Sequence, residues 1–105
     1  MNRVAAGATL QFEHVDAAHV RVTGAIDFAH ANAAVARTDE LLGSGSDMTA
    51  DLGGLARADS ATLGVLLLWA ARAATRGKRL RFAGVPADLR ALAHLCDAEL
   101  LLGIA

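Results

Sequence analysis

Two stretches near the start of the chain alternate polar and apolar residues with a period of two, which is typical of half-buried strands. They cover residues 9–13 and 19–26, and the short segment Asp16-Ala17-Ala18 between them predicts an antiparallel hairpin. One face of the hairpin is apolar and carries Leu10, Phe12, Val20 and Val22. The other face is expected to be wetter and carries Gln11, Glu13, Arg21 and Thr23.

Helices and strands alternate through the rest of the chain. Helices are predicted at residues 31–42, 60–75 and 86–96, strands at 47–52 and 80–85, and a short packed end at 100–102. Pro86 suits the first position of the last helix. The order β-β-α-β-α-β-α predicts an α/β fold with a four-stranded mixed sheet and helices mainly on one face. The length of 105 residues fits one domain.

Composition excludes several classes of function. The formal net charge is −1, so the basic excess of a nucleic-acid-binding protein is missing. Cys96 is the only cysteine, which rules out an internal disulfide and a multi-cysteine zinc site, and it is expected to be buried on the apolar side of the last helix. The start lacks a signal peptide and the longest apolar stretch, 63–71, is too short to span a bilayer, so we expect a cytoplasmic protein.

The residues that do chemistry in enzymes are not grouped in this sequence. The four histidines are scattered without metal-ligand spacing, and no P-loop is present, so no metal or cofactor is predicted. A Ser-His-Asp triad could form only through folding. The sequence therefore favours a protein that is not an enzyme.

The most informative stretch runs from the end of the third strand into the longest helix, over residues 51–63. Ser60 is predicted to be the N-cap of that helix, where a hydroxyl can accept a hydrogen bond from a first-turn N–H group. The helix N-terminus also carries partial positive charge and can attract an anion. Ser60 can therefore be a structural cap or part of a binding surface.

This stretch resembles the STAS domain, the fold of anti-sigma-factor antagonists, of sulfate-transporter C-terminal domains and of a bacterial lipid-transporter subunit. The resemblance covers residues 10–102 and rests on Asp51-Leu52, on Asp59-Ser60-Ala61-Thr62-Leu63, on Gly24-Ala25-Ile26-Asp27-Phe28 and on the run 77–82. Arg57, two residues before Asp59, and Leu92-Ala93 in the last helix are similar to the STAS subunit of the Mla phospholipid-transport ABC complex. Thr62 stands where the family usually has glycine, and its bulk is expected to hinder a kinase from reaching Ser60.

The long helix also carries two apolar stripes. At 100° per residue, Leu63, Leu66, Leu67, Ala70 and Ala74 are predicted to face the sheet. A second stripe is then expected in solvent as a docking surface, with Trp69 as its anchor: Val65, Leu68, Trp69, Arg72 and Arg76. The tail or a second copy of the chain could instead cover this second stripe.

The resemblance implies a docking subunit whose partner is an ABC ATPase and which meets the membrane only through that complex. The partner-binding residues are then Asp27, Arg57, Asp59, Ser60, Thr62, Val65, Leu68, Trp69 and Arg72. An alternative is an anti-sigma-factor antagonist, whose partner is an anti-sigma kinase that phosphorylates Ser60. A third possibility is a domain that binds a nucleotide phosphate at the same helix N-terminus.

Overall fold

The first two strands form the predicted hairpin. In a computed structural model that describes residues 10–45 and 47–103, β1 (Gln11–Asp16) pairs antiparallel with β2 (His19–Ala25), and Phe12 lies opposite Val22. The Asp16 carboxylate accepts a hydrogen bond of 2.8 Å from the Ala18 N–H group and closes the turn. β1 therefore extends three residues beyond its predicted end, while Thr9 lies outside the described residues.

The remaining elements complete the predicted α/β sheet. They are α1 (Ala31–Ala36), α2 (Thr38–Leu42), β3 (Asp47–Arg57), α3 (Ser60–Thr75), β4 (Arg79–Ala83), α4 (Ala87–Leu95) and α5 (Glu99–Leu102). The strand order is β1-β2-β3-β4, and β3 runs parallel to both of its neighbours. Even-numbered positions such as Val22, Ala50 and Phe82 are buried, whereas Arg21, Asp51 and Arg81 are exposed on the other face. The four-stranded mixed sheet is confirmed.

β3 continues five residues past its predicted end because two glycines fit inside the strand. Gly54 lies opposite Thr23, and a Cβ atom on Gly54 would come within 2.8 Å of the Thr23 Cγ2 atom. The pairing between β2 and β3 also shifts register after Arg21 and after Gly24. The segment expected to be a loop is therefore mostly strand, and it brings the chain directly to the start of α3.

The predicted helix over residues 31–42 is broken at Arg37, where the backbone has φ −94° and ψ 17°. The Arg37 side chain turns back to the residue before β1, where it donates a 2.7 Å hydrogen bond to the Leu10 carbonyl oxygen. Its guanidinium also lies 4.4 Å from the centroid of the Phe12 ring. The break thus fixes α1 and α2 against the hairpin.

Trp69 belongs to the core, and its expected exposure is wrong. Its side chain is 0% exposed, its Nε1 atom donates a 2.9 Å hydrogen bond to the Ala34 carbonyl oxygen, and its ring meets Phe12 edge-on at 5.6 Å. Val65 is likewise buried. The reason is that α3 is covered on two sides, by the sheet and by α1, so its buried arc is wider than one stripe. Leu63 and Leu66 are buried as predicted, whereas Ala74 is exposed.

The C-terminal part differs from the prediction at Pro86 and Cys96. Pro86 is the N-cap of α4 rather than its first residue. Cys96 is exposed, because α4 ends at Leu95 and the chain then turns through Asp97 with φ 53°. The tail at 100–102 is helical, within α5. Within the described residues, no helix is both long and apolar enough to cross a membrane.

Candidate docking site at the start of the longest helix

The first turn of α3 is closed by a reciprocal pair of hydrogen bonds. The Asp59 carboxylate accepts a 3.1 Å hydrogen bond from the Thr62 N–H group, and the Thr62 hydroxyl accepts one of 3.1 Å from the Asp59 N–H group. This capping box makes Asp59 the N-cap, so the prediction of Ser60 as the cap is wrong. Ser60 is instead the first helical residue, and it is exposed.

Thr62 faces the interior rather than the surface. Its side chain is 0% exposed, and its hydroxyl donates a 2.8 Å hydrogen bond to the Ile26 carbonyl oxygen. The expectations that Thr62 shields Ser60 and that it contacts a partner are therefore both wrong. The third helical position points toward the sheet, so the threonine joins the start of α3 to the loop that follows β2.

The Asp27 loop therefore lies beside the start of α3. The Asp27 carboxylate accepts a 2.9 Å hydrogen bond from the His30 N–H group and lies 2.7 Å from the His30 Nδ1 atom, capping a 3₁₀ turn over Phe28–His30. Phe28, inside this turn, is 87% exposed. Folding brings Asp27, Asp59 and Ser60 to one region, as their joint assignment to a binding surface requires.

The solvent side of α3 starts at Ser60. Ser60, Gly64, Leu68 and Ala71 are all exposed and lie within an arc of about 80° at 100° per residue, and we call them the outer face of α3. Leu68 is 50% exposed, and Arg72 borders the same face, so the predicted exposure of these two residues is confirmed. Val65 and Trp69 lie further around the helix, in the core. The Arg57 side chain lies outside the part of the chain that the structure describes.

A sequence model of a protein family, described as "Mlab, STAS domain", matches residues 10–103. The chain belongs to the STAS domain family. No curated protein matches it in sequence. STAS domains generally act through protein–protein interaction and are generally not enzymes, which gives this chain a general interaction role.

Phe28 is the residue of this STAS domain's surface that sequence reasoning missed. It directly follows Asp27 in the stretch that resembles the family, and a large aromatic residue in a loop is itself a signal. The loop could not be placed beside Ser60 without the hydrogen bond between Thr62 and Ile26, which spans 36 positions of sequence. An exposed phenylalanine in the loop beside the start of α3 offers an apolar side chain large enough to anchor a partner.

The histidines of the STAS domain each bind a nearby group of the same chain. His19 pairs with Asp16, His30 with Asp27 and His94 with Glu99, while the His14 Nε2 atom lies 2.8 Å from the Glu40 carbonyl oxygen. The His19 hydrogen bond and the Ala18 N–H group lower the pKa of Asp16. Among the described residues, no group of three metal-ligating side chains is close enough to hold a metal ion.

Proposed function

We propose that this STAS domain is a non-enzymatic docking subunit that binds the ATPase of a phospholipid-transport ABC complex through the outer face of α3. It acts in the cytoplasm and meets the inner membrane only through that complex. The Mlab description of the matching family favours this assignment. The structural observation that supports this docking surface is the presence of a glycine at position 64 of α3.

Gly64 lies in the interior of α3, in its second turn, where glycine costs about 1 kcal/mol relative to alanine. Apart from its two neighbours and the nearby backbone of α3 itself, no described atom lies within 4 Å of the position that a Cβ atom on Gly64 would take. The fold of this chain therefore does not require a glycine there. A partner that packs closely against the outer face of α3 does require one, because a Cβ atom would stand in its way.

The side chains around Gly64 fit such a partner. Leu68 is 50% exposed one turn along the same face, and Phe28 is 87% exposed in the loop beside the start of α3. Together they offer apolar contact area, and the exposed Arg72 forms part of a polar rim. Leu68 and Phe28 thus take the anchoring role that the buried Trp69 cannot have.

The first experiment is affinity purification from the protein's own cells, followed by binding measurements with the purified partner. We expect an ABC ATPase subunit in stoichiometric amount. Gly64→Ala should raise the free energy of unfolding by about 0.5–1 kcal/mol. The same change should weaken ATPase binding about tenfold or more, since overpacking a close contact costs about 1–3 kcal/mol. A variant that is more stable and still binds with full affinity would refute the outer face of α3 as the docking surface.

Two leucine variants provide a matched comparison. Leu68→Arg places a charge on the outer face of α3 and should weaken ATPase binding about thirtyfold, as the loss of an interface anchor does. Leu95→Arg makes the same chemical change at an 80% exposed position at the end of α4, and it should leave affinity unchanged. Equal losses in the two variants would point to a general effect of charge rather than to this face.

The exposure of Ser60 favours a second candidate, an anti-sigma-factor antagonist that a partner kinase phosphorylates at this hydroxyl. The buried Thr62 does not cover Ser60, and a phosphate at the first position of α3 would be favourable for the helix itself. Mass spectrometry of the protein from its own cells separates the two candidates. Unmodified Ser60 with a co-purified ATPase is expected for the ABC subunit, and stoichiometric phosphate with a co-purified kinase for the antagonist.

A further inference from the structure

A groove of about 760 Å³ lies between the C-terminal half of α3, the edge strand β4 and α5. Its lining includes Ala70 and Ala74 of α3 and Leu80 of β4, and Leu100 and Leu101 of α5 also border it. Leu100 is 84% exposed and Leu101 is 69% exposed. Ala70 and Ala74 lie about 80–120° around the helix from Gly64, so this groove lies beside the outer face of α3 rather than on it.

Basic side chains line the same groove, in the connection that follows α3 and along β4. The Lys78 Nζ atom donates a 3.1 Å hydrogen bond to the Gly43 carbonyl oxygen. Arg79 and Arg81 are exposed, and neither guanidinium group forms a salt bridge among residues 10–45 and 47–103. The Arg79 N–H group donates a 3.1 Å hydrogen bond to the Asp47 carboxylate, which is the one acidic group bonded to this pair within the described residues. Because the whole chain has a net charge of −1, this concentration of positive charge is local.

The backbone of α5 helps to hold one of these arginines at the groove. Gly103 follows α5 with φ 68°, and a Cβ atom there would come within 3.1 Å of the Arg81 Cγ atom. The aliphatic part of Arg81 therefore packs under the end of α5, while its charged group has no partner of its own among the described residues.

We propose that this groove binds an acidic amphipathic segment of a partner protein. The apolar side chains of the segment would lie against Leu100 and Leu101, and its carboxylates would pair with Arg79 and Arg81. The small side chains of Ala70 and Ala74 let a backbone approach closely. A concave surface of this kind fits a peptide segment better than it fits a flat membrane, and the opposite charges select an acidic segment.

The test uses the full ¹⁵N-labelled chain and a synthetic amphipathic peptide of about 16 residues made of Glu, Leu and Ala. We expect backbone chemical-shift changes in residues 70–81 and 100–103. Binding should weaken at least tenfold when the salt concentration rises from ~0.05 to ~0.5 M, because exposed charge pairs are screened. The same peptide with Lys in place of Glu should not bind.

Three variants make the result specific. The double variant Arg79→Gln and Arg81→Gln should lower peptide affinity at least tenfold. Arg21→Gln removes one positive charge from β2, where Arg21 pairs with Glu13, and should leave binding unchanged. Leu68→Arg should also leave peptide binding unchanged, so this proposal and the proposed ATPase docking can fail independently.

Four outcomes would overturn the proposal. They are no peptide binding at millimolar concentration, equal binding of the Lys peptide, shift changes confined to the outer face of α3, and unchanged affinity in the double arginine variant. Vesicles of phosphatidylglycerol and phosphatidylcholine provide the last comparison. If they capture the protein while the acidic peptide does not bind, the groove meets an anionic membrane instead of a protein segment.

Discussion

The indole of Trp69 fills the centre of the core, and its ring nitrogen keeps a hydrogen-bond partner there. Because the side chain is 0% exposed, Trp69→Ala should lower the free energy of unfolding by about 3–5 kcal/mol in urea titrations. Trp69→Phe keeps much of the volume but removes the indole donor, while the Ala34 carbonyl oxygen keeps its 3.1 Å hydrogen bond from the Arg37 N–H group, so we expect a cost of about 0.5–1.5 kcal/mol.

The matched control for Trp69 is its neighbour Leu68, which is half exposed. Leu68→Ala should cost less than about 1 kcal/mol, because little of its surface is removed from water. Similar losses in Trp69→Ala and Leu68→Ala would mean that α3 is rotated relative to the structure described above.

Thr62 is the other residue whose polar group stabilises the fold from inside. Thr62→Val keeps the shape of the side chain but leaves the Ile26 carbonyl oxygen without its donor and the Asp59 N–H group without its acceptor, so we expect a loss of about 1–3 kcal/mol. Thr62→Ser retains the hydroxyl and should lose only about 1 kcal/mol for the missing methyl group. Ser60→Ala, at the neighbouring surface, should change stability by less than about 0.5 kcal/mol in the same denaturation series. A Thr62→Val protein as stable as the wild type would contradict the inferred bond.

Among the helices, the break between α1 and α2 places Arg37 beside Glu40, and this ion pair makes a small part of the folding stability depend on pH. Arg37 donates hydrogen bonds of 2.9 and 2.7 Å to the Glu40 carboxylate and so lowers the pKa of Glu40. A lowered pKa in the folded state gives stability that is present above the unfolded pKa and is lost as the pH falls through the folded pKa. Because Glu40 is exposed, the effect on stability should be small.

The measurement is an NMR titration of the Glu40 carboxyl group. Its pKa should lie below the ordinary glutamate value in the wild type and should rise toward that value in Arg37→Gln. Arg37→Lys keeps the charge but loses the paired hydrogen bonds, so it should give an intermediate pKa. An unchanged pKa in Arg37→Gln would show that the ion pair does not form in solution.

The elements also show where sequence reasoning succeeds and where it stops. The strands could be predicted because their alternating residues meet a single layer of helices, as Val20 and Val22 do. The rotation of α3 could not, because the run from Leu63 to Trp69 is apolar almost throughout and the helix is covered by both the sheet and α1. The N-cap of α3 could not be predicted either, because Asp59 and Ser60 are both residue types that favour this position. The reciprocal hydrogen bonds between Asp59 and Thr62 make Asp59 the N-cap.

For the whole molecule, the sequence predicted a binding surface that includes Ser60 but could not say which side chains complete it. The loop that carries Phe28 is far from the start of α3 in sequence, and it lies beside that start because the Thr62 hydroxyl binds the Ile26 carbonyl oxygen. The same folding moves Trp69 inward and leaves Leu68 as the large apolar side chain on the outer face of α3. The candidate surface therefore lies at the predicted end of α3, but its large apolar side chains are Leu68 and Phe28 instead of Trp69.

One hydrophobic cluster includes buried residues from β2, β3, β4 and α3, and Phe12 of β1 packs against it. We therefore expect the chain to unfold in one cooperative transition. Trp69 is the only tryptophan and lies inside this cluster, so its fluorescence reports tertiary packing, while far-ultraviolet circular dichroism reports helices and strands. In urea the two signals should give the same midpoint and slope. Because the Phe12 ring lies 5.6 Å from the Trp69 ring, early separation of β1 would change the fluorescence first. A fluorescence midpoint clearly below the dichroism midpoint would show that the hairpin and the helices unfold in separate steps.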